Sequence, residues 1–276
     1  MADYLSSNVN KVTTNVLQRM RNEGEKIAML TAYDYSTAKL LDLAKIDIIL
    51  VGDSAANVMA GYKTTLPITL DNMIYHASSV VRAVERAFVV VDMPFGTYQG
   101  NSKEALHSAI RIMKESGADA VKLEGGEEIL PAIRHMIQAG VPVQGHLGLT
   151  PQSVNQFGGY GLRAKEDAEA EKLIHDAVLL AEAGCFSIVL EKIPAALAAR
   201  VTEAVKPYNC ATIGIGAGPH TSGQVLVLHD MLGLNEGFKP KFLRHFAELA
   251  GKVKTAVGNY ISAVKENTFP AENESY

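Results

Sequence analysis

Tryptophan is absent from this 276-residue chain, cysteine occurs only twice, and neither sign of charge dominates, with 26 basic against 30 acidic residues and a formal charge of −4. Each scarcity removes a class of protein. Cys185 and Cys210 have no Cys-x-x-Cys spacing, which argues against a disulfide framework or a structural zinc site, and both read as small core residues. No window supplies the ~18 consecutive apolar residues of a spanning helix. The opening MADYLSSNVNKVTTNVLQRM also lacks the continuous apolar core of a signal peptide, so the expectation is a cytoplasmic protein with no membrane partner. Slight acidity argues against a coat for nucleic acid. An apolar share of 47% excludes a disordered chain, and at this length a core can bury roughly three quarters of the unfolded surface without covalent staples. The expected partners are small molecules and further copies of the chain.

What is present is an alternation. Short β-branched runs close on polar or glycine-rich turns and lead into helical periodicity, the mark of successive βα units. Runs at 27–32, 47–51, 88–91, 120–123, 143–146, 186–190, 211–215 and 225–228 give eight strands. Helices are expected over 35–45, 70–86, 102–116 and 167–183, with others after Gly126 and from Pro194. Eight units with buried strands predict an α/β fold, a (β/α)8 TIM barrel; an open doubly wound sheet is disfavoured because no G-x-G-x-x-G opens the first helix. One domain over 1–276 is expected, with an N-terminal extension over about 1–24 and a polar tail over about 266–276. The GIGAG glycines at 214–218 read as a close-packed turn.

In a barrel the C-terminal strand ends meet at one mouth. Asp53, Asp92, Glu124, His146 and Glu191 all stand at or just past such ends. Carboxylates directly after apolar runs are costly to bury unless they are paired, hydrogen-bonded or bound to metal. Oxygen ligands without a cysteine or histidine cluster favour a hard divalent ion, magnesium first, with Asp53, Asp92 and Glu124 as the ligand set. A single aspartate there suits a helix cap equally well; three on neighbouring strands shift the weight to a cation. Lys122, two residues before Glu124, shares its face, so it would hold a substrate carboxylate, stabilise an enolate, or pair internally with Glu124 or Asp92. Glu191, across the barrel from Asp53, is the candidate general base. His146 reads either as a substrate contact or as a satisfied structural histidine, and Ser54 as a hydrogen-bond donor to substrate, since no nucleophile elbow accompanies it. Tyr33 and Asp34 end the first strand, where Asp34 also suits a helix cap. A divalent ion, a lysine and a carboxylate base suit enolisation of a 2-oxo acid, while the electrophile is not legible from these groups.

The motifs TAYDYSTAKL, VGDS, TLPIT, DMPFGTY, VKLEGG, GHLGLTPQSVNQFGGY, LEKIP and IGIGAG stand in this order over 27–265, and with them the chain resembles the ketopantoate hydroxymethyltransferase family. The block at 145–160 is the most specific. The resemblance implies a barrel of the phosphoenolpyruvate/pyruvate type and transfer of a hydroxymethyl group from 5,10-methylenetetrahydrofolate to 3-methyl-2-oxobutanoate. The product would be 2-dehydropantoate for pantothenate and coenzyme A synthesis, formed through a magnesium-chelated enolate. It further implies Mg2+ on Asp53, Asp92 and Glu124, substrate contacts from Asp53, Ser54, Asp92 and Lys122, Glu191 as proton acceptor and His146 as a pocket residue. Members of the family are cytoplasmic homo-oligomers, often decamers. The chain departs from the family pattern at Ala55-Ala56, where Leu-Gly is usual, and at Lys63, where a small or acidic residue is common. Ala56 would remove a glycine's φ > 0 option beside the metal loop. Two other readings stay open: a magnesium-dependent lyase or mutase using the same carboxylates, and a non-catalytic sensor or scaffold that binds a 2-oxo acid.

Overall fold

The computed structural model describes residues 10–276, so the part of the N-terminal reading that falls on 1–9 lies outside the described residues. Two compact units make up the chain, one ending at Val227 and the other Leu228–Tyr276, and each is described by itself.

The first unit is a closed barrel of eight parallel strands in sequence order: β1 (Ile27–Thr31), β2 (Ile48–Val51), β3 (Phe88–Asp92), β4 (Ala120–Glu124), β5 (Val143–Gly148), β6 (Ser187–Glu191), β7 (Ala211–Ile215) and β8 (Gly223–Leu226). Helices α1 (Thr14–Glu23), α2 (Tyr35–Leu43), α3 (Ala55–Val58), α4 (Leu70–Val81), α5 (Ser102–Ser116), α6 (Leu130–Gln138), α7 (Val154–Phe157), α8 (Asp167–Glu182) and α9 (Ala195–Ala204) precede and separate the strands. Strand β7 and helix α5 fall where the sequence predicts. Helix α5 is locally determined: Asn101 caps it by accepting from the Lys103 and Glu104 amides, Ala105, Ala109 and Ile112 form the buried stripe, and Gly117 ends it at φ 79°. Strand β8 opens two residues earlier than expected, at Gly223, which reads as a turn signal but is demanded by packing. A Cβ there would sit 2.3 Å from the Ile27 carbonyl oxygen.

Alternation along the strands builds two cores. Ile49, Val51, Val89, Val91, Val121, Leu123, Ile188 and Leu190 face outward into the layer shared with the helices. Met29, Ile48, Leu50, Phe88, Val90, Ala120, Val189 and Ile213 fill the barrel interior. The N-terminal extension is not a loose arm over its described part. Thr13 caps α1 and Gly24 ends it at φ 77°, and Val12, Leu17 and Met20 join the interior cluster next to Ile27, Phe88 and Ala211, the first residues of their strands. Helix α1 therefore closes the N-terminal end of the barrel. Around that end the carboxylates hold loops: Asp42 accepts from the amides of Glu85, Arg86 and Ala87, and Asp47 accepts from the Ala28 amide and pairs with Arg86 at 3.2 Å.

The second unit contains α10 (Leu228–Met231), α11 (Leu249–Lys265) and a single 3-10 turn over Glu272–Glu274 inside the polar tail. The Phe246 amide donates to the Met231 carbonyl and the Leu249 amide to that of Leu232. Helix α11 is absent from the sequence expectations, for Gly251 and Gly258 and its β-branched residues weaken the helical signal. Its Val253, Val257, Tyr260, Ile261 and Val264 form an exposed apolar stripe. No helix among the described residues is long and apolar enough to cross a membrane.

Candidate active site

Interior positions that are apolar low in the barrel turn polar at its C-terminal end. Asp92 stands in register with Lys122, Lys122 with Gln144, Glu124 with His146, and Gly148 with Glu191. Alternation thus aims Asp92, Lys122, Glu124, His146 and Glu191 into one mouth. Asp53 lies just past β2, and Ser54 opens the short helix α3. Every candidate site residue reaches this end of the barrel. Asp34, by contrast, is spent on capping α2 through the Thr37 amide, while the Tyr33 hydroxyl lies 2.9 Å from Ser54 Oγ.

The ammonium of Lys122 lies 3.0 Å from Asp92 Oδ1 and 3.1 Å from His146 Nδ1. Asp92 Oδ2 accepts from the Asp53 amide at 3.0 Å. Burial pulls the Lys122 pKa down, but Asp92, Glu124 and Asp53 together outweigh it and hold the ammonium above its ordinary range. A charged lysine only donates, so His146 Nδ1 accepts and the ring proton belongs on Nε2. Nε2 faces Glu191 Oε2 at 3.3 Å, without the alignment of a hydrogen bond. Burial and then the Lys122 charge lower the His146 pKa, which keeps the imidazole neutral. Glu191 is the accessible carboxylate, with 16% of its side chain exposed against 3–5% for Glu124, His146, Lys122 and Asp92.

Two carboxyls are perturbed upward. Burial, followed by the charges of Asp92 and Glu124, pushes Asp53 up to about 8, and burial pushes Glu124 up to about 7. Three carboxylates facing one ammonium in a desolvated site are short of positive charge. Ala55 and Ala56, fully buried in α3, are not among the residues with positive φ, so the usual glycine is not required there by backbone geometry. At the rim, partial burial and the charges of Asp53 and Glu191 raise the pKa of the Tyr160 hydroxyl.

Gln152 escaped the sequence reading and is the best-connected residue of the site. Its amide donates at 3.0 Å to Asp53 Oδ2 and to the Met93 carbonyl. Its Oε1 accepts from the Tyr98 hydroxyl at 2.7 Å and from Gln99 at 3.1 Å, and its backbone amide donates to Glu124 Oε2 at 2.9 Å. The loops after β2, β3 and β5 meet on this one side chain, and its backbone amide adds Glu124 at the end of β4. Its only sequence signal is its place in the glycine-bounded block 148–159. The GIGAG turn, in keeping with its reading, is close-packed: a Cβ on Gly218, at φ +78°, would meet Ala195 at 2.4 Å.

A closed eight-stranded parallel barrel whose charged residues gather at the C-terminal mouth is a fold with known counterparts. It superimposes on phosphonopyruvate hydrolase in complex with oxalate and Mg++ at a TM-score of 0.62, with 12% identity, over 95% of this chain and 93% of that one. For 2,3-dimethylmalate lyase, a member of the PEP mutase/isocitrate lyase superfamily, the TM-score is 0.57 with 15% identity over 95% and 90%. The fold is therefore a (β/α)8 TIM barrel, as in those structures. Sequence carries the assignment further. The family model for ketopantoate hydroxymethyltransferase matches residues 11–272. The chain is 64% identical over 270 residues to the 3-methyl-2-oxobutanoate hydroxymethyltransferase of Cytophaga hutchinsonii, covering 98% of each. It is 62% identical over 276 residues to that of Bacteroides thetaiotaomicron, covering 100% of each. The chain belongs to the ketopantoate hydroxymethyltransferase family and is an enzyme of the transferase class.

Proposed function

We propose that the chain transfers a hydroxymethyl group from 5,10-methylenetetrahydrofolate to 3-methyl-2-oxobutanoate, giving 2-dehydropantoate for pantothenate synthesis. The observation that carries this reading is the linked row Asp92, Lys122, His146 and Glu191: a fixed ammonium, a neutral imidazole and an accessible carboxylate at one mouth. Such a row can bind an anionic oxo acid and move a carbon-bound proton.

Glu191 accepts the C3 proton of the oxo acid, and Lys122 offsets the negative charge that develops on the 2-oxo oxygen. His146, held as the Nε2–H tautomer by Lys122, faces Glu191 and steadies its carboxylate. Ser54, backed by Tyr33, offers a hydroxyl to the substrate. Among the described residues no three His, Cys, Asp or Glu side chains stand ready as a metal cluster. The donor chemistry nonetheless fits a hard cation, because buried Asp53, Asp92 and Glu124 supply only oxygen and have the one Lys122 ammonium to offset three negative charges. These three would hold Mg2+, which when bound polarises the 2-oxo group and the adjacent carboxylate. Over the whole reaction the C3–H bond breaks, a bond forms from C3 to the methylene carbon, and both carbon–nitrogen bonds of that methylene break. Water supplies the hydroxyl, and one water proton and the former C3 proton restore the two N–H groups of the carrier. The exposed stripe on α11 supports self-association, a decamer being the family expectation, and the small soluble metabolites suit the cytoplasm.

Proton NMR of 3-methyl-2-oxobutanoate in deuterated water tests the first half. Chelator-treated protein restored with magnesium is expected to wash out the C3 proton, and Glu191→Gln to abolish that exchange while substrate still binds. Full exchange in Glu191→Gln would remove it as the base. Cleavage of a 2-methylisocitrate-like substrate without folate would instead favour a lyase.

A further inference from the structure

Beside the oxo-acid mouth lies a cavity of ≈ 540 Å³, walled by the loops after β3, β4 and β5 and by the start of α8. It shares Glu124, Gly148 and Gln152 with the site described above, and Gly148 is in register with Glu191. A volume in the range of small-molecule cofactor sites, roughly 300–1,000 Å³, would be left mostly empty by the oxo acid alone. The cavity therefore suits a second, larger reactant, seated against the first.

Its wall is suited to a flat conjugated ring. Phe157 and Arg163 form a stacked pair, with the guanidinium carbon 3.9 Å from the ring centroid. Glu169 pairs with a terminal nitrogen of Arg163, yet the buried Nε of Arg163 has no hydrogen-bond partner among the described residues. A buried donor left open in a cavity wall calls for an acceptor from a ligand. Gln99 and Gln156 add amide groups to the same walls, and Lys172, paired with Asp176 at 2.6 Å and with 60% of its side chain exposed, stands at the outer end. We propose that this cavity seats the one-carbon carrier: a reduced pterin whose ring lies along Phe157 and Arg163, accepts a hydrogen bond from Arg163 Nε, and presents its methylene towards Glu124 and Gly148. The assignment rests on the hydroxymethyl-transfer reading and adds the place where its second substrate sits.

The test uses the full chain with tetrahydrofolate as probe. Gln156 is exposed on the short helix α7, so Gln156→Trp fills the cavity with little risk to folding. Arg163→Lys removes the flat guanidinium and keeps the charge. Gln156→Trp is expected to weaken tetrahydrofolate binding at least tenfold in equilibrium titration, and Arg163→Lys roughly two- to tenfold. Solvent deuterium exchange at C3 of the oxo acid, measured without carrier, is expected to stay within about twofold in both. Unchanged tetrahydrofolate affinity in both variants, with exchange intact, overturns the cavity assignment and leaves the proposed function standing. Loss of tetrahydrofolate binding in Gln156→Trp, in a protein whose wild type never exchanges C3, upholds the cavity and overturns the enolisation.

Discussion

Gln152→Leu keeps much of the side-chain volume and removes every side-chain hydrogen bond that ties the loops after β2, β3 and β5 together. Asp53 Oδ2 and the Met93 carbonyl each lose a donor at 3.0 Å in a buried setting, while the Tyr98 hydroxyl retains the Glu124 carbonyl at 3.2 Å. Two stranded acceptors cost about 1–3 kcal/mol each. Burying the leucine offsets about 1–2 kcal/mol of that. The middle of these ranges leaves a net loss of about 2–3 kcal/mol, which in a domain of this size lowers Tm by roughly 4–12 °C. Calorimetric scans of wild type and variant, each with and without magnesium, measure it. Gln152→Glu is the companion: it presses another carboxylate against Asp53, so it should be the less stable of the two without a divalent cation and recover more when one is added. A leucine variant within ~0.5 kcal/mol of wild type would refute the view that Gln152 holds the carboxylates in place.

The carboxyls of Asp53 and Glu124 set a pH dependence of definite sign. Their folded-state pKa values are raised from 3.8 to about 8 and from 4.5 to about 7, so the folded chain binds more protons than the unfolded one between those limits. That stability is fully present below about pH 3.8, falls as pH rises from there, and is gone above about pH 8. Divalent cations need both groups deprotonated, so magnesium affinity should rise over the same window with release of protons. Titration calorimetry in two buffers of different ionisation enthalpy reads that release, and a pH-independent affinity would contradict it. At the other end of the barrel, Leu17→Ala should cost about 2–5 kcal/mol in urea unfolding, because Leu17 fills the interior cluster. C3 exchange per folded molecule should be unaltered, whereas a selective loss of exchange would give α1 a functional role.

How much of this was legible beforehand depends on how far each signal reaches along the chain. Asp92, Glu124 and Glu191 each break a β-branched run, and a barrel sends such residues to one end, so pattern and topology suffice to place them. Lys122 and Glu124 share a face because strands alternate, which leaves an internal pair with either Glu124 or Asp92 open, and the folded barrel makes it Asp92. Gln152 could not be found this way. It stands in an irregular loop without period, and its partner Asp53 is 99 residues distant, so only the closed barrel brings the two together. The base of the barrel hides its logic similarly: Asp42 and Asp47 look no different in sequence from the carboxylates of the mouth, yet they hold loop amides. Helix α1 had its caps in plain view at Thr13 and Gly24, but without a preceding strand it read only as an extension. Helix α11 keeps its apolar residues on the outside, so neither its glycines nor its burial marks it.

With α1 closing one end and Ile48, Phe88, Val90 and Met29 filling the interior, the barrel has a single doorway. Everything that reacts there comes in and goes out past the same rim, where Tyr160 stands. On the proposed reading the small oxo acid travels to the depth of Lys122, while the bulkier carrier stays in the cavity beside it. The two would then share one opening but not one depth, so filling the cavity at Gln156 would leave the way to Lys122 open.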